Sequence, residues 1–264
     1  MIVVLGGTSD GGEVIQALAE RGYGVLATAV TPYGAELARK AGAAEVRQGE
    51  LTAPLLRELL LSKKPLALID ATHPFAVEIT ALGRQVCTEL SIPYFRYRRE
   101  KALLPEDPRL TVVSSWEEAA AAAAAAQGKN VFLTIGTRKL EIFTRHPELK
   151  LKRLIVRVLP DKASLEKCLS LGFGPRDIIA LYGPFSYELN LALYQQYGAQ
   201  VLVTKNSGKE GGTEAKIRAA LDLEMEVIVI EPPVEPWGMS LEEILSALSL
   251  RVDFSRPSRA ARKP

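Results

Sequence analysis

The sequence predicts an α/β fold made of two doubly wound lobes, each built on a parallel β-sheet, with an active-site cleft between them. Short apolar, β-branched runs alternate with stretches of helical spacing along the chain, which is typical of βαβ units with right-handed crossovers. The second half repeats this alternation after a break at residues 127–130. A length of 264 residues is sufficient for two domains of ordinary size. We therefore predict one lobe at residues 1–128 and a second at residues 129–250.

The first half contains the clearest sequence of strand, turn and helix. An apolar run at residues 2–5 ends in Gly6 and Gly7, and helical spacing then continues to Gly22. Asp10 and Glu13 have the spacing of a capping box, which predicts the start of this helix. The remaining predicted strands of this half are residues 25–30, 45–47, 66–69, 92–98 and 110–113, and the remaining predicted helices are residues 33–41, 53–61, 75–90 and the alanine run described next.

Two overlapping cap signals at residues 114–118 precede a run of eight alanines at residues 119–126. Alanine is the best helix former, and a face without bulk lets a helix lie close to a sheet. We therefore interpret this run as a packed helix.

The second half has the same pattern and ends in a basic tail. Its predicted strands are residues 131–135, 154–159, 178–181, 201–203 and 227–230, and its predicted helices are residues 164–171, 187–197, 213–221 and 241–248. Residues 251–264 are polar, basic and proline-containing, so we expect them to be poorly ordered.

Composition excludes several functional classes. With 47% hydrophobic and 24% charged residues the chain has ordinary globular usage, and a net charge of +2 gives no support for a nucleic-acid partner. Cys87 and Cys168 form no CxxC pair and have no histidine cluster beside them, so neither a disulfide framework nor a metal site is expected. The apolar run at residues 2–5 is too short for the core of a signal peptide and no run of 18 apolar residues occurs, so neither a signal peptide nor a membrane span is expected. We expect a cytoplasmic protein without a membrane partner.

Candidate chemistry is expected where strands end, because open parallel sheets bind ligands beyond the carboxyl ends of their strands. Gly6, Gly7, Thr8 and Ser9 form a glycine-rich turn into a helix, which suits a phosphate group. The second strand ends in Thr28-Ala29-Val30-Thr31 and lacks the acid that usually holds the ribose hydroxyls of NAD. If a dinucleotide binds here, this absence favours NADP.

A second loop contains one of the two histidines. Asp70, Thr72 and His73 follow the fourth predicted strand, and Pro74 keeps His73 out of helical geometry. A histidine at such a strand end can donate protons near neutral pH, so His73 is the candidate general acid. His146 lies in a turn between Arg145 and Pro147 and is interpreted as structural.

Three further segments combine cations and polar groups. Arg96 is the first residue of a basic stretch, which has two possible interpretations: a site that recognises a polycarboxylate, or a solvated loop. Tyr182 lies in a turn before a helix, and Lys205, Asn206 and Ser207 lie in a glycine-limited loop able to hold an anion.

Several of these segments together resemble the precorrin-6A reductase family of cobalamin biosynthesis. The resemblance extends over residues 1 to about 235 and rests on L-G-G-T-S-D, I-D-A-T-H-P-F-A, P-Y-F-R, L-T-I-G, Y-G-P and L-V-T-K-N-S-G, in that order. The combination of D-A-T-H-P-F-A with V-T-K-N-S-G is its specific part.

The resemblance implies a Rossmann-like oxidoreductase that uses NADPH or NADH to reduce one double bond of a ring-contracted tetrapyrrole, precorrin-6A or its cobalt form. The residues that it implies are His73, Asp70 and Thr72 for catalysis, Gly6, Gly7, Thr8, Ser9 and Gly136 for the cofactor, and Arg96, Tyr182, Lys205, Asn206 and Ser207 for the substrate. No metal bound by the protein, no nucleic acid and a monomer or small homo-oligomer are expected.

Two alternatives remain open from the residues alone. A reductase of another small imine or carbonyl substrate would be expected to carry a Tyr-x-x-x-Lys pair, and Tyr33, Tyr182 and Tyr187 lack the lysine. A non-catalytic two-lobed sensor of a nucleotide or anion is not excluded by any motif.

Overall fold

The chain forms two compact units. A computed structural model describes residues 1–7, 9–99, 102–234 and 236–255, the last five by their backbone alone. Unit 1 comprises Met1–Arg99 and the C-terminal segment that begins at Val234, and unit 2 comprises Glu100–Pro233. Each unit contains a six-stranded sheet in which every pairing is parallel. The predicted α/β class with two parallel-sheet lobes is thereby confirmed.

Unit 1 has strand order β12-β5-β4-β1-β2-β3. Its strands are β1 (Ile2–Leu5), β2 (Val25–Ala29), β3 (Glu45–Gln48), β4 (Leu68–Asp70), β5 (Tyr94–Tyr97) and β12 (Gly238–Met239). Its helices are α1 (Ser9–Glu20), α2 (Pro32–Lys40), α3 (Ala53–Lys63), α4 (Val77–Glu89) and α10 (Leu241–Ser255). The chain crosses from one side of the sheet to the other between β1 and β4, so the topological switch point lies there.

Strand β1 is central and shows why the sheet is covered on both faces. Ile2 and Val4 pack with Ile15 of α1 and Ile244 of α10 in one apolar cluster. The alternate residues Val3 and Leu5 belong to a second cluster, with Leu56 of α3 and Val86 of α4. Burial on both faces explains why the strand is apolar without alternation.

Unit 2 has strand order β6-β11-β10-β7-β8-β9. Its strands are β6 (Leu110–Val113), β7 (Asn130–Thr134), β8 (Arg153–Val158), β9 (Ile178–Ala180), β10 (Val201–Lys205) and β11 (Glu226–Ile230). Its helices are α5 (Trp116–Ala125), α6 (Leu140–Arg145), α7 (Lys162–Ser170), α8 (Tyr187–Gln196) and α9 (Thr213–Asp222), with 3-10 turns at Glu148–Leu151 and Pro175–Asp177. From β7 onward the winding repeats that of unit 1, and the switch point lies between β7 and β10.

Helix α5 covers one face of the unit 2 sheet with alanines, as expected. Ser115 caps the helix by accepting a hydrogen bond from the backbone N–H of Glu118. Ala119, Ala120 and Ala123 are fully buried. Their small side chains let α5 pack against β6, β10 and β11.

The division between the units differs from the predicted boundary near residue 128. Strand β6 was expected in the first lobe, but it pairs with β11 and belongs to unit 2. Helix α10 was expected in the second lobe, but Ile244, Leu245 and Leu248 enter the core of unit 1. Sheet pairing and core packing, which local periodicity does not specify, determine both assignments. The predicted cleft between the lobes stays a prediction.

The poorly ordered tail was predicted to begin at residue 251, but its first residues belong to a helix. Helix α10 continues to Ser255, so residues 251–255 are helical. Residues 256–264 lie outside the described part of the chain. Within the described residues, no helix combines the length and the apolar character that crossing a membrane requires. Cys87 and Cys168 are both buried and free, and burial raises the pKa of Cys87 to about 12.

Candidate active site

The β1–α1 turn is the first part of the candidate site. Gly7 has φ +105°, a conformation that side-chain-bearing residues rarely adopt. A Cβ on Gly11, in the first turn of α1, would lie 3.1 Å from the Cα of Gly6, so helix and turn approach closely. Ser9 is the first residue of α1 and is exposed, while Thr8 lies outside the described residues. A glycine turn against a helix N-terminus presents backbone N–H groups to an anion.

Asp10 places a carboxylate beside this helix N-terminus. Helix α1 begins one residue earlier than the predicted capping box, so Asp10 lies in its first turn. Asp10 is 3% exposed and forms an ion pair with Arg99. The guanidinium compensates the carboxylate, which would otherwise repel a phosphate bound at the turn.

Asp70 ends β4 and is fully buried. Its Oδ1 accepts hydrogen bonds from the backbone N–H (3.0 Å) and the hydroxyl (2.6 Å) of Thr72 and from Nη1 of Arg96 (2.9 Å). Its Oδ2 accepts hydrogen bonds from the hydroxyls of Thr80 (2.7 Å) and Tyr94 (2.8 Å). With both oxygens engaged inside the unit, Asp70 organises the loop after β4.

Arg96 is the partner of Asp70 on the neighbouring strand β5. The two residues are in register, and the Arg96 side chain is 1% exposed. Its Nη1 also donates to the backbone carbonyl of Thr72 at 3.0 Å and lies 3.3 Å from the Thr72 hydroxyl. Arg96 and Asp70 therefore both hold Thr72 in place. Both side chains are buried, whereas Arg96 was predicted to bind the substrate and Asp70 to take part in catalysis.

His73 follows this fixed residue and is partly exposed. Its Nδ1 accepts a hydrogen bond of 3.2 Å from the backbone N–H of Phe75, and the two rings lie 5.7 Å apart between centroids. Because Nδ1 accepts, the neutral imidazole carries its proton on Nε2. The loop thus holds one tautomer of a histidine, and that tautomer can donate from Nε2.

The two loops of unit 1 lie next to each other. Strands β1 and β4 are paired with Leu5 opposite Asp70, and the backbone N–H of Ala71 donates to the carbonyl of Leu5 at 2.9 Å. The glycine turn after β1 and the Thr72–His73 loop after β4 therefore flank the switch point of the sheet. Ligands of doubly wound sheets bind at this position.

Unit 2 presents the equivalent strand ends. Gly136 follows β7 and has φ +73°, with open space where its Cβ would be. Lys205 ends β10 and is partly exposed. Strands β7 and β10 are neighbours in the sheet, so these two residues flank the second switch point.

Asn206 and Ser207 are buried and shape the loop after β10. The Asn206 amide accepts a hydrogen bond from the backbone N–H of Ala102 and donates one to its carbonyl, each at 3.2 Å. The backbone N–H of Ser207 donates to the hydroxyl of Thr213 at 3.1 Å. A Cβ on Gly211 would lie 2.3 Å from the Cβ of Ser207, so only glycine fits there. The Asn206 side chain and the Ser207 backbone therefore hold the shape of this loop.

Tyr182 is the most exposed of the predicted substrate residues, at 51%. It belongs to the β9–α8 loop, which leads to Ser186, whose hydroxyl caps α8. Phe185 of the same loop lies under the guanidinium of Arg157, 4.2 Å from it.

The sequence prediction missed several polar residues at these strand ends. Thr80 and Tyr94 complete the Asp70 network: Thr80 lies in no motif, and Tyr94 lies in the P-Y-F-R motif, which gave it no role. Two buried cations of unit 2, Arg157 and Lys216, were detectable in principle. Arg157 interrupts an apolar strand, and Lys216 occupies the buried position of a helix at spacing Thr213, Lys216, Ile217, Ala220. No group of His, Cys, Asp or Glu side chains within the described ranges has the arrangement of a metal site.

Comparison with known proteins identifies the family. The model of a family described as precorrin-6x reductase CbiJ/CobK matches residues 1–249. The cobalt-precorrin-6A reductase of Priestia megaterium is 39% identical over 254 residues, covering 94% of this chain and 98% of the relative. The corresponding enzyme of Salmonella typhimurium is 33% identical over 232 residues, covering 88% and 87%. The precorrin-6A reductase of Mycobacterium tuberculosis is 34% identical over 186 residues, 70% of each chain.

A solved structure supports the same assignment. The structure described as CobK precorrin-6A reductase has a TM-score of 0.72 and 25% identity, and the alignment covers 95% of this chain and 96% of that one. These matches confirm the resemblance that the sequence motifs indicated. The chain belongs to the precorrin-6x reductase family and is an oxidoreductase of the cobalamin pathway.

Proposed function

We propose that the protein reduces one double bond of cobalt-precorrin-6A with NADPH. The observation that carries this proposal is the adjacency, at the unit 1 switch point, of a glycine turn suited to a dinucleotide and a histidine held in one tautomer. The cobalt form is favoured over the metal-free form because the cobalt-precorrin-6A reductase of Priestia megaterium is 39% identical to this chain, whereas the solved precorrin-6A reductase is 25% identical. The cobalt belongs to the substrate.

The β1–α1 turn fits a dinucleotide. The positive φ of Gly7 and the close approach of Gly6 to Gly11 leave the backbone near the helix N-terminus without side chains. Backbone N–H groups there would hold the pyrophosphate, with Ser9 and Gly136 as further predicted contacts. When bound, the reduced nicotinamide supplies the hydride.

Unit 1 favours the phosphorylated cofactor. The end of β2 carries no carboxylate that would repel a 2′-phosphate. Arg47 of β3 is in register with Thr28 near the same strand end, and its guanidinium forms no ion pair within the described residues. An arginine at this place suits a 2′-phosphate. We expect NADPH to be preferred, and Arg47→Gln to raise the KM for NADPH while leaving that for NADH unchanged.

The proton is assigned to His73. Asp70 and Arg96 fix Thr72, and Thr72 fixes the backbone that precedes the imidazole. Protonation of Nδ1, at the expense of its hydrogen bond from Phe75, gives the imidazolium of His73, and this form delivers the Nε2 proton to the ring carbon next to the one that receives the hydride. Asp70, Thr72 and Arg96 are positioning residues in this scheme, because their polar groups are used within the loop.

The substrate is rimmed with carboxylates, so cations and hydroxyls are expected to bind it. Lys205 and Tyr182 are the predicted residues with exposed surface for this role. Asn206 and Ser207 support the loop that carries Lys205. A cytoplasmic location agrees with two free, buried cysteines. A monomer or small homo-oligomer stays a prediction.

The test is an oxygen-free single-turnover assay with purified protein. Cobalt-precorrin-6A and metal-free precorrin-6A are each mixed with NADPH or NADH, and nicotinamide oxidation and product mass are followed. We expect the cobalt form to oxidise one equivalent of NADPH and to gain two hydrogens, one of which comes from deuterium-labelled NADPH. Binding without oxidation would instead identify a sensor, and turnover only with a small imine or carbonyl would identify the other alternative.

A further inference from the structure

Two cations are buried in unit 2 without an acidic partner. Arg157 of β8 is 6% exposed and Lys216 of α9 is 8% exposed. Nη1 of Arg157 donates to the Asn190 side-chain oxygen at 2.8 Å, and its guanidinium stacks over Phe185. Within the described residues, the Lys216 ammonium has no hydrogen bond or ion pair. Buried charges are normally paired with an opposite charge, and neither cation has one within the described residues, which supports a partner from outside the chain.

Both cations lie on one face of the sheet. Leu202, Phe132 and Ile155 are in register on β10, β7 and β8 and pack against Ile217 of α9. Residues two positions further along each strand share this face, which places Thr204 of β10 and Arg157 of β8 on it. Lys216 directly precedes Ile217 on α9 and belongs with Thr213 and Ala220 to the buried side of this helix.

This face also contains an unsatisfied hydroxyl. Thr204 is fully buried, and its Oγ1 has no hydrogen-bond partner. Leaving such a group unpaired costs about 1–3 kcal/mol. Thr204 therefore indicates, independently of the cations, a polar ligand at this place.

The helix orientation points to an anion. Helix α9 follows β10 in a parallel crossover, so its N-terminus lies at the carboxyl ends of the strands. The positive end of a helix dipole favours an anion and disfavours a lysine such as Lys216. Gly212, the N-cap residue just before α9, has φ +61°. A Cβ there would lie 3.6 Å from Pro184 of the β9–α8 loop.

The electrostatics of Lys216 agree with this. Burial, together with the positive charges of Arg157 and Lys205, lowers the pKa of Lys216 to about 7. Burial also keeps the Tyr194 hydroxyl of α8 protonated by raising its pKa. No carboxylate in the described part of unit 2 counteracts these effects on the ammonium.

Acidic side chains on the elements around α9 are engaged elsewhere. Glu188 of α8 is exposed and is held at its own helix N-terminus by Ser186. Glu226 lies at the start of β11 and accepts hydrogen bonds from the backbone of Gln127 and Gly128. Glu231, after β11, accepts from the Asn206 amide at 2.7 Å.

We propose that Arg157, Lys216 and Thr204 form a binding site for one oxyanion group, a carboxylate or a phosphate, at the carboxyl ends of the unit 2 strands. The group would serve as counterion for both cations and accept a hydrogen bond from Thr204. Two molecules of the proposed function carry such groups: the tetrapyrrole has carboxylates and NADPH has phosphates. Only the identity of the ligand rests on the proposed reductase function; the anion site itself is argued from the residues of unit 2.

The test measures proton uptake on binding at pH 8. Ligand-free Lys216, with a pKa near 7, is mainly neutral at this pH, and a bound anion restores its charge. Calorimetric titration in buffers of different ionisation enthalpy is expected to show uptake of most of one proton by the wild type. Lys216→Met should abolish this uptake, and the exposed control Lys150→Met should retain it.

Separate titrations identify the ligand. Uptake with cobalt-precorrin-6A alone would assign a carboxylate, and uptake with NADP⁺ alone would assign a phosphate. Thr204→Val, which keeps the shape of the side chain, should weaken binding of that same ligand by about threefold to tenfold. Equal proton uptake by the wild type and Lys216→Met with both ligands would overturn the site. Because protons and not turnover are measured, this result is distinct from a failure of the reductase assay.

Discussion

Asp70 illustrates how a buried strand-end carboxylate holds the loop that follows it. Five hydrogen bonds from Thr72, Thr80, Tyr94 and Arg96 converge on its two oxygens. The two oxygens of Asp70 accept all five, so none of its hydrogen-bonding capacity is left to solvent. The network converts a buried charge pair into a rigid support for the loop that carries His73.

Asp70→Asn should destabilise unit 1 strongly. The amide nitrogen would face donors, and Arg96 would remain buried without its counterion, which costs about 3–5 kcal/mol. Urea unfolding measures the change. The control Glu89→Gln removes an ion pair with Arg57 whose partners are both more than a third exposed, and it should leave the midpoint nearly unchanged. An unchanged midpoint in Asp70→Asn would show that the network is not what stabilises the loop.

His73→Ala should slow the reduction step at least about 10²-fold, because the variant lacks the positioned proton donor. The measurement is single-turnover loss of nicotinamide absorbance with saturating substrate. His146→Gln is the matched control, since it changes the only other histidine of the chain and is expected to react at the wild-type rate. A wild-type rate in His73→Ala would assign the proton to water or to a substrate carboxyl.

At the scale of elements, the junction of β1 and α1 depends on the absence of side chains. Gly6 and Gly11 approach each other across the turn, whereas the next residue, Gly12, has only Ala41 nearby, 3.9 Å from where its Cβ would be. Neighbouring glycines of one helix therefore have different roles, and the glycine-rich sequence alone does not distinguish them.

Gly11→Ala should weaken NADPH binding, because a Cβ 3.1 Å from the Gly6 Cα displaces the turn that is proposed to hold the pyrophosphate. Gly12→Ala is the control and should raise stability by about 0.5–1 kcal/mol, since alanine favours the helix interior. Isothermal titration with NADPH and thermal unfolding compare the two variants. Equal affinity in both would exclude a role for the Gly6–Gly11 contact in cofactor binding.

Element prediction was best where local signals are strong. The strands at Ile2–Leu5 and Leu110–Val113 have the predicted bounds, and α8 and α9 start at the predicted residues. Helix α6 and strand β12 were not predicted. Strand β12 has two residues, which is too short for periodicity, and it exists because it pairs with β5.

For the whole molecule, the important feature is that the C-terminal segment completes the first unit. Ile244, Leu245 and Leu248 of α10 pack with Phe95 of β5 and Ile15 of α1. The chain thus leaves unit 1 after Arg99, builds unit 2 and returns at Val234.

Ile244→Ala should therefore destabilise unit 1 by about 2–5 kcal/mol, the usual range for removing a fully buried aliphatic side chain. Hydrogen exchange should show faster exchange in β1, β4 and β5 and unchanged protection in β7, β8 and β10. Leu250→Ala, on the same helix but 63% exposed, is the control and should change neither. Faster exchange confined to unit 2 would contradict the assignment of α10.

The sequence by itself determined the α/β class, most strands and helices, the glycine turn, the Thr72–His73 loop and the family, because these depend on local periodicity, turn chemistry and contiguous motifs. Only the tertiary structure decided which sheet receives β6, which core receives α10, and that Arg96 pairs with Asp70. It also brought Arg157, Thr204 and Lys216 to one face of unit 2. The physical reason is the same in each case: strand pairing and burial join residues distant in sequence, and a charged residue shows its role only once its neighbours are known.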